Sequence, residues 1–198
     1  RTSGITVKEG GLFPLKTGAR FLVGTTATAS KDQGGKFYCE IQLIAQTSAG
    51  GGIAIGFTPN GSIPDPDSQG DLQFTGGWRA RIATGNNNSS WAIQGGSSVV
   101  YAGGNVFAIG DWVGIGIDFD NNFFKIWDES GTLQLNGDIS SRALKETAYT
   151  LAMGCESGGQ TIQSRLNFGA TAFQRTGGMP SGFKTFQASQ LPALALDP

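Results

Sequence analysis

Histidine is missing from all 198 residues of the chain, and that gap closes off most hydrolytic chemistry. Without an imidazole there is no Ser-His-Asp or Cys-His activation of a nucleophile, and the commonest transition-metal ligand is lost. Cysteine is almost as scarce, with only Cys39 and Cys155, too few for a disulfide scaffold. Each falls at an alternate position of an apolar stretch, Cys39 in phase with Phe37 and Ile41, Cys155 with Leu151 and Met153. Buried free thiols and synthesis in a reducing cytosol are therefore expected. Charge is sparse as well. Lys and Arg number 14 against 15 Asp and Glu, for a net charge of −1, and the basic residues cluster nowhere. That leaves no field for holding phosphates, so nucleic acid is not an expected partner. No apolar run approaches the roughly 20 residues that cross a bilayer as a helix, and the first residues lack the layout of a secretion signal. Membrane insertion is not expected.

What is abundant points one way. Thirty-two glycines and thirteen phenylalanines against seven prolines describe an all-β protein with many tight turns. Apolar residues alternate with polar ones over short stretches, with Gly, Asn, Asp and Ser clusters between them, the pattern of an antiparallel sandwich. The strands expected are 5–8, 12–15, 20–28, 36–46, 52–58, 78–83, 90–94, 112–119, 122–127, 132–135, 148–155 and 162–168. Phe37, Cys39, Ile41 and Leu43 share one face of their strand, while Tyr38, Glu40 and Gln42 share the other. Residues 112–118 are apolar at nearly every position with glycines interspersed, as a central strand packed closely on both sides requires. The expected organisation is one domain over residues 1–186 and a linker over 187–198 leading to a further segment, since the chain starts without Met and ends in a period-free stretch with prolines.

Candidate contact residues lie near loops. The longest loop, Pro59 to Gly70, carries Asp65 and Asp67, and loops of that length are often functional. Trp78, Arg79 and Arg81 precede Asn86, Asn87, Asn88 and Trp91, a mixture of planar rings and amide donors suited to stacking on sugar rings or anchoring a peptide. Trp127 alternates with Phe123 and Lys125, opposite Phe124 and Ile126, and joins this set as a ring on the wetter face. Core packing competes with ligand contact for every one of these tryptophans, and Trp112 is expected to be structural. Asp118 and Asp120 are the acids whose spacing could suit a retaining glycosidase, which needs two carboxylates about 5 Å apart. Turn capping is the competing reading, and their oxygens with Asn121 make only a weak calcium pattern. The runs Gly50 to Gly52, Gly95-Gly96 and Gly103-Gly104 lack the Lys-Ser/Thr and strand-to-helix setting of a phosphate loop. No cofactor and no metal are expected.

One ordered series of motifs carries more. Gly34-Gly-Lys-Phe-Tyr-Cys-Glu40, Ile53-Ala-Ile-Gly-Phe57, Gly110-Asp-Trp-Val-Gly114 and Asn167-Phe-Gly169 follow one another as in SPRY domains, the β-sandwich core of the B30.2 family, which the chain resembles from about Thr25 to Phe186. It departs from the family at Ile126-Trp-Asp-Glu-Ser-Gly131, and the Ser-Trp-Gly element is only loosely echoed by Gly77-Trp-Arg79 or Ser90-Trp91. Asn167-Phe-Gly169 followed by Pro180-Ser-Gly-Phe-Lys184 is similar to SPRY-type modules embedded in bacteriophage virion proteins.

The resemblance implies a SPRY-like antiparallel sandwich of two twisted sheets, of concanavalin or jelly-roll type. It also implies a non-catalytic binding module of a tail fibre, spike or capsid decoration, made in the bacterial cytoplasm and located in the virion. The partners it implies are a host-surface polysaccharide or protein, and neighbouring virion subunits. A purely architectural virion domain and a carbohydrate-active hydrolase are the alternatives.

Overall fold

The computed structural model describes residues 5–8, 13–18, 21–30, 34–46, 52–59, 78–83, 91–95, 98–103, 108–140, 148–155 and 160–185. Over these residues the chain is all β-strand and turn, with no helix. The first eight strands are β1 (Ile5–Lys8), β2 (Phe13–Gly18), β3 (Phe21–Ser30), β4 (Lys36–Gln46), β5 (Gly52–Pro59), β6 (Trp78–Ala83), β7 (Trp91–Gly95) and β8 (Ser98–Gly103). The rest are β9 (Trp112–Asp118), β10 (Phe123–Trp127), β11 (Leu133–Asp138), β12 (Ala148–Cys155), β13 (Gln160–Asn167) and β14 (Phe183–Thr185). They form an eight-stranded sheet in the order β1-β2-β13-β4-β9-β10-β11, with β14 attached to β4, and a six-stranded sheet in the order β3-β12-β5-β6-β7-β8. The expected antiparallel sandwich is the fold observed.

Two strands were not anticipated. β8 lies between two glycine pairs that read as turns. β14 is three residues long and pairs with β4 in parallel, where the other described pairings are antiparallel. It occupies the stretch of β4's edge that β13 does not reach: β13 pairs with Glu40 to Gln46, and β14 with Lys36 to Tyr38.

The side chains of β4, β9, β10 and β11 show why this sheet is stable. Period-2 alternation and register bring Phe37, Ile117 and Phe124 into one row, Cys39, Ile115, Ile126 and Leu135 into the next, and Ile41 with Val113 into a third. All are buried, and this apolar face is the one turned toward the second sheet. β9 lies between β4 and β10 and is buried at every position, as its unbroken apolar character requires. Cys39 is a buried free thiol, and burial pushes its pKa well above the ordinary thiol range. Cys155 lies opposite Ile53 and Phe21 in the second sheet.

Candidate functional site

The expected contact residues divide by position. Trp78, Arg79 and Arg81 lie on β6, where Trp78 is opposite Phe57, Arg79 opposite Gly56 and Gln94, and Arg81 opposite Ala54 and Ala92. Trp91 opens β7 opposite Ile82. The sheet thus brings the two tryptophan-bearing segments onto adjacent strands. Asp65, Asp67, Asn86, Asn87, Asn88 and the linker 187–198 lie outside the described residues.

Trp127 requires a correction. It does lie on the face opposite Phe124 and Ile126, but that face is covered at this point, and the ring is only 6% exposed. Its ring meets Tyr38 edge-on at 5.6 Å and Phe183 at 5.4 Å, and Phe173 and Met179 pack against the cluster. Trp127 is core, and its ring is closed to a ligand.

What covers it is the segment 168–182, which leaves β13, crosses the outer face of the sheet and returns as β14. Asn167, at the end of β13, starts the excursion. Its buried side chain accepts a hydrogen bond from the Gly169 N–H at 2.9 Å and donates to the carbonyls of Thr171 and Ala172 at 3.4 and 3.1 Å. Glu40 then fastens the segment from β4, accepting the backbone N–H groups of Gln174 at 2.7 Å and Arg175 at 3.2 Å. Arg175 completes the closure. Its Nε donates to the Tyr38 hydroxyl at 2.8 Å, its other nitrogens donate to the carbonyls of Thr176 and Gly178, and the guanidinium lies 5.7 and 5.8 Å from the ring centres of Tyr38 and Trp127. Tyr38 passes the chain on by donating to Glu40 at 3.2 Å.

Such a layer needs room on the strand beneath it, and glycine supplies that room. A Cβ on Gly114 would sit 2.5 Å from the Tyr38 hydroxyl oxygen. One on Gly116 would sit 2.7 Å from Phe183 and 2.8 Å from Trp127. The alternating glycines of β9 are thus the floor on which the aromatic layer rests.

The acids are engaged in this architecture. Asp118, only 1% exposed, accepts the backbone and amide N–H groups of Asn121 at 3.0 and 3.1 Å and faces Lys36 Nζ at 3.2 Å. Burial works against its charge, yet the donors of Asn121 and Lys36 prevail and hold the carboxyl below the usual aspartate range. Asp120 lies in the turn after β9, where Asn122 takes the left-handed conformation that asparagine tolerates. Its Oδ1 accepts the Gly35 N–H at 2.6 Å. Asp118 and Asp120 therefore cap a turn and tie it to the start of β4. Asp128 does the same for the β10–β11 turn, accepting Ser130 Oγ at 2.6 Å, Thr132 N–H at 2.9 Å and the Gln134 amide. Burial opposes its charge too, and these donors again hold its carboxyl low. Glu40 goes the other way: burial raises its pKa above the ordinary glutamate range despite the hydrogen bonds that favour the anion. Among the described residues no group of three or more His, Cys, Asp or Glu side chains is gathered for a metal ion.

Sequence reasoning missed Arg175 and its partnership with Glu40. A charged residue on a strand as apolar as β4, set between Gly114 and Asn167 in the register, was the available signal.

No family model and no curated protein matches the chain. Solved structures do. The fold is similar to that of the SPRY domain of human HERC1, at a TM-score of 0.59 and 10% identity over 84% of this chain and 94% of that one. It is similar also to winged bean acidic lectin complexed with methyl-alpha-D-galactose, at a TM-score of 0.55 and 10% identity over 83% and 89%. The carbohydrate-binding module CBM66 from Bacillus subtilis aligns at a TM-score of 0.51 and 10% identity, over 84% and 89%. At that identity the likeness is one of fold: a SPRY-like twin-sheet sandwich of the kind shared with lectins and carbohydrate-binding modules.

Proposed function

We propose that the chain is a non-catalytic binding module that recognises a host-surface glycan, carried by a structural protein of a bacteriophage such as a tail fibre, spike or capsid decoration. The observation that carries the non-catalytic reading is the state of the acids. Both glycosidase candidates are engaged in holding the turn: Asp118 is buried and bonded to Asn121 and Lys36, and Asp120 accepts the Gly35 N–H, whereas a retaining pair needs two carboxylates facing a substrate. Glu40 has a raised pKa, but both its oxygens are occupied beneath the 168–182 segment. The glycan reading is supported by the sandwich shared with a carbohydrate-binding module and a galactoside-bound lectin. The pairing of β6 with β7 puts Trp78 and Trp91 in phase on one face of their sheet and Arg79 and Arg81 on the other, so the tryptophans and the arginines are two separate candidate contact surfaces. The virion setting rests on the succession of Asn167-Phe-Gly169 and Pro180 to Lys184, and it makes neighbouring virion subunits further partners.

A glycan array combined with product analysis tests the proposal. Binding without cleavage is the expected result, weakened by Trp91→Ala or Arg79→Ala with little change in melting temperature. Cleavage of a bound glycan would overturn it in favour of a hydrolase, and silence on the array would favour an architectural virion domain.

A further inference from the structure

The segment 168–182 covers only part of the outer face of the eight-stranded sheet. Toward its edge, β10 and β11 present a different surface. Register sets Phe123 beside Asp138, Lys125 beside Asn136 and Trp127 beside Leu133. A bulge at Ile126/Trp127 puts Leu133, rather than Gln134, opposite Trp127, and Leu133 is 44% exposed. Asn136 and Asp138 are exposed, and Phe123 and Lys125 are half-buried. The Lys125 ammonium lies 5.7 Å from the centre of the Phe123 ring. Among the described residues no hydrogen bond engages the Asn136 amide or the Lys125 ammonium, and Asp138, exposed at the end of β11, accepts the Ser140 N–H at 2.7 Å and is also hydrogen-bonded by the Ser140 side chain.

We propose that this strip, Phe123, Lys125, Leu133, Asn136 and Asp138, binds an extended neutral saccharide. Phe123 and Leu133 offer apolar surface at the two ends of the strip, suited to the C–H faces of sugar rings. Between and beside them stand a donor-only ammonium, an amide that both donates and accepts, and a carboxylate that only accepts, a set that pairs with neighbouring hydroxyls in either sense. The charges of Lys125 and Asp138 cancel, which leaves no net field to favour an acidic polymer. Three register rows two residues apart span about 13 Å along the strands, the reach of a short oligosaccharide rather than of one ring. The inference rests on the glycan-binding reading above and adds to it a site on the sheet face and a class of ligand.

Titration of the full chain with dextran, levan and galactan, and with hyaluronan as the acidic comparison, tests it. The expected result is binding to at least one neutral polymer and not to hyaluronan, weakened about tenfold by Phe123→Ala, as loss of an aromatic contact implies, and severalfold by Asn136→Ala and Asp138→Ala. The last two side chains are exposed, so these variants keep the test valid should Phe123→Ala fold poorly. Neutral-glycan binding that survives all three substitutions but is lost in Trp91→Ala would overturn the strip as the site and leave the binding-module reading intact. Preference for hyaluronan would overturn the ligand class. No binding to any glycan would overturn both readings.

Discussion

The two faces of the eight-stranded sheet are both buried where β4 and β9 run, yet they are buried by different means. The inner face is built from interchangeable parts: Ile41, Val113, Ile115, Ile117 and Ile126 meet in register and need only be apolar and of suitable volume. The outer face is a fitted assembly in which Tyr38, Trp127 and Phe183 rest on Gly114 and Gly116 under a buried arginine and a buried glutamate. Each group there is fitted to particular partners. The inner face should therefore tolerate conservative exchange, while the outer layer should fail at single positions. Farther along the same outer face no described segment lies on top, and there the strip of Phe123, Lys125, Leu133, Asn136 and Asp138 presents side chains that reach solvent.

The largest effect that separates the faces is expected from Trp127→Ala. Removing this ring empties the space shared with Tyr38 and Phe183 and takes away one of the two rings over which the Arg175 guanidinium lies. A loss of about 3–5 kcal/mol is expected. Ile115→Val on the inner face removes one methyl group, and a loss of about 0.5–1.5 kcal/mol is expected. Denaturant unfolding of the two variants measures the contrast, and equal losses would show that the outer layer is not the more demanding one.

A smaller effect tests the fit itself. Gly116→Ala introduces a Cβ that would sit 2.7 Å from Phe183 and 2.8 Å from Trp127, and overpacking of this kind costs about 1–3 kcal/mol. The same substitution made in Trp127→Ala should cost clearly less, because one of the two clashing rings is gone. The double-mutant cycle should give a coupling of about 0.5–3 kcal/mol in that direction. Additivity would mean that the glycine serves the strand backbone rather than the ring above it.

The contrast between the faces also explains what was legible in the sequence. The inner face follows a local rule, so alternation placed β4, β9 and β10 and most of the other strands close to where they lie. The outer layer obeys a pairing across the chain. Glu40 receives the N–H groups of Gln174 and Arg175, more than a hundred residues away in sequence, and no periodicity within β4 announces such a partner. Trp127 falls on the expected face for the same local reason, and it is core rather than a ligand contact because its cover comes from segment 168–182. The glycines of β9 did signal close packing on both sides, and the structure names the rings that approach. β8 was hidden by its flanking glycines. β14 is fixed by the edge of β4 that β13 leaves free, a condition invisible before the sheet is assembled. Of the expected contact residues, Trp78, Arg79, Arg81 and Trp91 fall on paired strands because their segments alternate.

The smallest effect is a dependence on pH, and its sign differs between the acids. Burial raises the pKa of Glu40 in the folded protein, so the folded state holds this proton more tightly than the unfolded chain does. Its contribution is fully present below the ordinary glutamate pKa and is lost as pH rises through the raised value. Asp118 and Asp128 behave oppositely. Their carboxyls are held low by hydrogen bonds that outweigh burial, so their contributions are present above the ordinary aspartate pKa and are lost as pH falls through the lowered values. Glu40→Gln keeps the shape and an oxygen that can accept from Gln174, and it removes the titration. Relative to the parent, the stability of Glu40→Gln should therefore improve steadily as pH is raised from below the ordinary glutamate pKa to neutrality. Thermal unfolding followed at several pH values measures this difference. A difference that shrinks with rising pH would mean that the anion at Glu40, through its grip on Gln174 and Arg175, stabilises the layer more than its burial costs.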